Sequence, residues 1–143
     1  MAPEPLDAAH ARPDDASDKL VATVGRLSEA LERVERARGA LYDFHQLVGG
    51  AAAMLDEVVD GLAAEGHGEL ADRICEELRG RNVVHGRWTF QLVEEFDDGY
   101  YKLFHELERA VRDATMGGRR HVHEAEMKAR HRTRGRPGHE ATP

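Results

Sequence analysis

The chain is poor in the residues that most directly announce a mechanism. Its single cysteine, Cys75, excludes an intrachain disulfide and any zinc cluster built on the cysteines of one chain. Aromatic residues are only 6% of the total, and Asn82 and Ile74 are the sole residues of their kinds. Long hydrophobic runs are missing as well: the longest nearly uncharged stretch, 47–55, is far short of the roughly 20 residues that a membrane span needs. Residues 1–15 have neither a basic start nor an apolar run, so no secretory signal is expected and the chain reads as cytoplasmic. Lysine occurs only at positions 19, 102 and 128, an arginine bias typical of a GC-rich genome.

What is present points to helices. A chain of 143 residues and 15.9 kDa fits one domain of ordinary size. Its hydrophobic share of 41% is mostly Ala, Leu and Val, which suits the narrow core of packed helices. Charged residues reach 33% and the mean hydropathy is -0.62. The net charge of -7 is unevenly spread: residues 117–143 hold seven bases and three acids, whereas the first 116 hold thirteen bases and twenty-four acids. An acidic body therefore carries a basic, His-containing tail, and such a tail attracts phosphate or an acidic protein surface.

Residues 1–13 lack periodicity and are expected to be a disordered leader. Asp14, Asp15 and Ser17 supply N-caps and a negative first turn for a helix that follows. From Leu20 every seventh residue is apolar: Leu20, Leu27, Val34, Leu41, Val48, Leu55 and Leu62. A second row, Val24, Leu31, Arg38, His45, Ala52 and Val59, completes a coiled-coil-like seam over six heptads. Gly49 and Gly50 interrupt its propensity but not its phase, which predicts one helix from about 17 to 64, closed by Gly66 and Gly68. A short helix is expected over 69–79, then a linker over 80–87. Over 89–115, Val93, Phe96, Tyr100, Leu103, Phe104, Leu107 and Val111 keep helical spacing. A β-hairpin is the rival for 88–107, because Trp88, Phe90 and Leu92 alternate with polar residues and Asp98-Gly99 is a turn dipeptide. A last helix is expected within 119–132, with 133–143 disordered.

These elements predict an all-α fold: a helical domain over 14–116 shaped as a long antiparallel hairpin, and a basic, partly disordered tail over 117–143. A helix of about 48 residues is roughly 70 Å long, and one return segment leaves much of its apolar stripe wet. Dimerisation into a four-helix, coiled-coil-like bundle covers the remainder.

Few residues suggest chemistry. Arg134-Gly135-Arg136-Pro137 looks like the core of an AT-hook, in which two arginines enter the narrow minor groove of AT-rich DNA, with Lys128, Arg130 and Arg132 on phosphates upstream. Glu94, Asp98 and His105 share one helix face and are candidate metal ligands, although that face, with Tyr101 and Glu108, reads better as a solvated acidic surface. Arg38 and His45, polar residues in the seam, set register or partner choice. Trp88 either plugs the thin helix section at 49–53 or anchors a protein partner. No nucleophile motif, phosphate loop or dinucleotide fingerprint occurs, so neither an enzyme nor a cofactor is expected.

Residues 86–91 (Gly-Arg-Trp-Thr-Phe-Gln), the run from Glu94 to Tyr101, and the segment from Gly118 to Glu140 together resemble a family of short, uncharacterised actinobacterial proteins. The resemblance covers the C-terminal half of the chain and implies a bacterial cytoplasmic origin without an activity. The reading that joins these features is a homodimeric helical scaffold or adaptor that acts through protein contacts. The alternatives are a DNA-associated protein using its tail and a metal-binding helical bundle.

Overall fold

The computed structural model describes residues 4–143, and the fold is all-α. Helix α1 runs from Asp18 to Ala64, α2 from Gly68 to Glu77, α3 from Thr89 to Phe96, α4 from Lys102 to Met116 and α5 from Val122 to His131. Among the described residues no strand forms, and an isolated bridge between Val84 and Arg87 is the only β pairing, within the loop before α3.

Local chemistry explains the limits of α1. Ser17 Oγ accepts the Leu20 backbone N–H at 3.1 Å, an N-cap bond to the third helical residue. At the other end Gly66 takes a left-handed φ of 83°, and the His67 N–H reaches back to the Leu62 carbonyl at 2.8 Å. That wide bond satisfies a carbonyl the helix would otherwise leave open, and glycine takes the required backbone without a Cβ penalty. Between these ends Gly49 and Gly50 stay helical, as the unbroken heptad phase predicts.

The chain divides into two compact units, one made of the residues up to Val34 together with Lys102–Pro143, the other of Glu35–Tyr101. In the first, Ala16, Val21, Val24, Met116 and Val122 form the buried cluster, with Leu20 against it. Helix α5 lies so close to α1 that a Cβ on Gly25 would sit 2.7 Å from the His123 Cβ. Of the expected leader, residues 1–3 lie outside the described residues. Arg12, further along, is tied down: it donates to both Glu126 oxygens at 2.6 Å and to Asp18 at 2.7 Å. In the second unit α1 meets its return segment in antiparallel order. Glu35 meets Tyr101, Arg38 meets Asp97, His45 meets Thr89 and Asp56 meets Arg79.

Residues 89–107 are helical, so the hairpin alternative for 88–107 falls away. The helix is not uniform, however, because Asp97–Tyr101 forms a π-helical turn between α3 and α4. Such a turn holds one residue more than an α turn and rotates the following helix about its axis. The expected apolar stripe therefore ends at Phe96. Val93 is buried and Phe96 half-buried, but Tyr100, Leu103 and Leu107 are exposed. Phe104, also among the expected apolar positions, is half-buried, and Tyr101 and Glu108 turn inward beside it. Glu108, expected on a solvated acidic face, is 6% exposed, paired with Arg112 at 3.0 Å and accepting the Ser28 hydroxyl at 3.2 Å.

The reading of Trp88 as a plug is also corrected. A Cβ on Gly49 or Gly50 would meet nothing within 4 Å, and Trp88 is 57% exposed. Its indole N–H donates to Asn82 Oδ1 at 3.1 Å and its ring lies 5.3 Å from that of Phe90. The Gln91 carboxamide accepts the Trp88 backbone N–H at 2.9 Å, so the turn that starts α3 holds the ring outward.

Candidate protein-binding face

The seam of α1 is only partly covered. Leu41, Val48, Leu55, Val59 and Leu62 are half-buried rather than buried. One residue before each of several seam positions lies a further apolar or small residue: Phe44, Leu47, Ala51, Met54, Val58 and Gly61. All six are exposed. Successive residues of a helix are about 100° apart, so these six form a second stripe beside the seam with the same three-four spacing. Leu47 is 72% and Met54 68% exposed, which is unusual for adjacent large side chains on one helix face. The signal was available in the sequence as a second heptad row, hidden by the stronger row next to it.

Exposed apolar side chains are not confined to α1. In the same unit Trp88 and Phe90 pack on each other at the start of α3, with Leu78 and Val83 exposed in the preceding loop region. In the other unit Leu103, Leu107 and Val111 of α4 are exposed. Among the described residues fifteen large hydrophobic side chains are exposed, against seven hydrophobic residues that are buried.

A polar node fixes the register beneath this face. Arg38, a seam position, makes a two-pronged pair with Asp97, Nε to Oδ1 at 2.7 Å and Nη2 to Oδ2 at 3.1 Å. Its guanidinium lies 5.1 Å from the Tyr42 ring centroid and 4.9 Å from that of Tyr101, within cation–π range. The Tyr101 hydroxyl donates to the Glu35 carboxylate at 2.9 Å. Hydrogen bonding to Arg38 holds the Asp97 carboxyl below its usual range, and desolvation followed by the Glu35 carboxylate raises the Tyr101 phenol. A flat fork matched to a carboxylate admits one alignment of α1 against the π turn, which is the role expected of a charged residue in an apolar seam. His45, the other polar seam residue, sits with Nδ1 2.6 Å from Thr89 Oγ1, at the first residue of α3.

The remaining candidates are scattered. Glu94 lies exposed in α3, Asp98 exposed in the π turn and His105 half-buried in α4, and among the described residues no group of three His, Cys, Asp or Glu side chains comes together as a metal site. In the tail, Arg130, Arg134 and Arg136 are exposed. Arg132 is not: its side chain is 3% exposed, its Nη2 pairs with Glu4 at 2.7 Å and its Nη1 donates to the His139 carbonyl at 3.2 Å. The Arg-Gly-Arg-Pro segment is folded into successive turns, closed by Arg136 N–H to the Thr133 carbonyl at 3.3 Å and His139 N–H to the Arg136 carbonyl at 3.0 Å. An AT-hook lies extended in its groove, so this backbone does not present Arg134 and Arg136 in the required form. Clefts of about 290 and 300 Å³ flank Arg132. Asp7 and Glu124 line the first with Lys128 and Arg132, and Glu4 and Glu140 line the second with Arg132 and Arg136, so neither offers a ligand charge of one sign.

Among the described residues no helix is long and apolar enough to cross a membrane. Comparison with protein families, with curated proteins and with solved structures finds no match.

Proposed function

We propose that this chain is a non-enzymatic helical scaffold or adaptor that works through protein contacts as a homodimer, its α1 and return helices forming an antiparallel, coiled-coil-like hairpin that pairs with a second copy. The observation that carries the reading is the exposed stripe of α1, with Phe44, Leu47, Met54 and Val58 at three-four spacing and Leu47 72% and Met54 68% exposed. Apolar area removed from water stabilises an assembly by about 25 cal/mol per Å², so a continuous stripe of this kind favours association over exposure. A heptad spacing suits another helix better than a flat surface or a small molecule.

Trp88 and Phe90 give the scaffold a second, aromatic contact point for a partner protein. Large rings held outward by a cap and an indole hydrogen bond lose little freedom on binding, which is why such residues dominate interface energies. The test of the reading is the mass of the native chain in solution. Light scattering at micromolar concentration is expected to give twice the 15.9 kDa of the chain. A mass of one chain, unchanged as the concentration rises, would remove the homodimer and with it the reason for the exposed stripe.

A further inference from the structure

Resting on the proposed self-association, we propose that two copies meet through α1 in an antiparallel, two-fold arrangement. In it Phe44 fits against the partner's Gly61, Leu47 packs on the partner's Val58, and Met54 fits against the partner's Ala51.

The stripe carries the argument. Its positions fall into two sets at seven-residue intervals, Phe44, Ala51 and Val58 on one edge, Leu47, Met54 and Gly61 on the other. A parallel pair with aligned ends joins every position to itself. Phe44 then meets the partner's Phe44 while the glycines meet each other, so overfilled and empty layers alternate. A two-fold axis perpendicular to the helices instead sets members of one edge beside members of the other. In the proposed register every large side chain faces a smaller one, which equalises the layers as close packing requires. Sliding the pair by one heptad puts Phe44 beside the partner's Met54, the two bulkiest residues in one layer. The same slide brings exposed Asp43 towards the partner's Glu57, two carboxylates of like charge.

The glycine supports the same pairing. A Cβ on Gly61 would meet nothing within 4 Å in its own chain, as at Gly39, Gly49 and Gly50, but of these four only Gly61 lies on the stripe, where the missing side chain leaves room for the partner's Phe44. The size of the face also fits a second copy. With Phe44 40%, Leu47 72%, Met54 68% and Val58 44% exposed, these four side chains offer roughly 450 Å² per copy, and with exposed Ala51 and Gly61 the pair covers about 1,000 Å², the small end of specific interfaces.

Cross-linking between single-cysteine variants tests the arrangement. In a Cys75→Ser background, Leu47→Cys and Val58→Cys are prepared separately, refolded alone or as an equal mixture, and oxidised mildly. In the proposed register two copies of position 47, or two of position 58, stand about 16 Å apart along the helix, beyond the reach of a disulfide. Each variant alone is therefore expected to remain unlinked, and the mixture to give a covalent dimer. Phe44→Cys mixed with Gly61→Cys is expected to behave in the same way and covers the case in which the first pair weakens the dimer. Self-linking of Leu47→Cys or Phe44→Cys overturns the proposal in favour of a parallel pair. A native chain that is dimeric by light scattering, with no link in either mixture, overturns the geometry and leaves the self-association standing. A monomeric native chain overturns both.

Discussion

Three glycines of α1 respond in opposite directions to one substitution, and the signs report whether the helix is built as described. Gly39 and Gly49 are helical and exposed, and a Cβ on either meets nothing within 4 Å. Glycine in a helix interior costs about 1 kcal/mol relative to alanine, because its backbone has more freedom to lose. The two positions are about 15 Å apart along the helix, so their effects add. The double variant Gly39→Ala/Gly49→Ala is expected to be more stable by about 2 kcal/mol, a rise in Tm of roughly 8 °C for a chain of this size. Gly25→Ala is expected to do the reverse. Its new Cβ would lie 2.7 Å from His123 Cβ and 2.9 Å from His123 Cγ. The His123 Cβ is set by the backbone of α5, so relief requires the helix itself to move. Overpacking of this kind costs about 1–3 kcal/mol, which offsets the propensity gain and leaves a net loss of about 1 kcal/mol. Thermal melts followed by far-UV circular dichroism measure all three. A loss of stability in the Gly39/Gly49 variant would refute an unbroken helix through 49. A gain at Gly25 would refute the seat of α5 on α1.

Further predictions address other parts of the fold. The Arg12 guanidinium, by hydrogen bonding, holds the Glu126 carboxyl below its ordinary value of 4.5. A depressed native value contributes stability that is complete above about pH 4.5 and is lost as the pH falls through that depressed value. Acid titration of the melting temperature is expected to show that slope in the native chain and a shallower one in Glu126→Gln; equal slopes would contradict the pair. Met116, 1% exposed at the centre of the small cluster with Val21, Val24 and Val122, is expected to cost about 2–5 kcal/mol when cut to alanine, read by urea unfolding. A loss under about 1 kcal/mol would mean that this cluster is not the core of its unit. Trp88, the single tryptophan, is expected to emit as an exposed indole that acrylamide quenches freely. Strong protection from quenching in the chain without a partner protein would restore it to the interior.

The long helix was legible in the sequence because its seam repeats over six heptads, and a signal that long survives two adjacent glycines. The N-cap at Ser17 and the stop at Gly66 were legible for the same reason that they work: each residue type satisfies a backbone group that the helix leaves open. The face of α4 was not. Apolar spacing from Val93 to Val111 runs smoothly through 97–101, yet a single extra residue in the π turn changes which side of the helix that spacing describes. That spacing therefore places Leu103 and Leu107 on the core side and Glu108 on the solvated side, the reverse of what the fold does with them. Trp88 was misplaced because size alone argues for burial, while its orientation depends on Asn82 and Gln91. The position of Arg132 had no local signal either, since its ion-pair partner, Glu4, lies at the other end of the chain. The second stripe on α1 was visible in principle, one residue before the seam from Phe44 to Gly61. Its meaning depended on knowing that Leu47 and Met54 stay mostly exposed among the described residues.

The most direct test is sedimentation equilibrium of the native chain beside Leu47→Glu/Met54→Glu, with circular dichroism recorded on both. Both positions point to solvent within one copy, so the charges are expected to leave helicity and melting of the isolated chain unchanged. The native chain is expected to be a dimer of twice 15.9 kDa and the variant a helical monomer of 15.9 kDa. Equal masses for the two, whether one chain or two, would contradict that expectation.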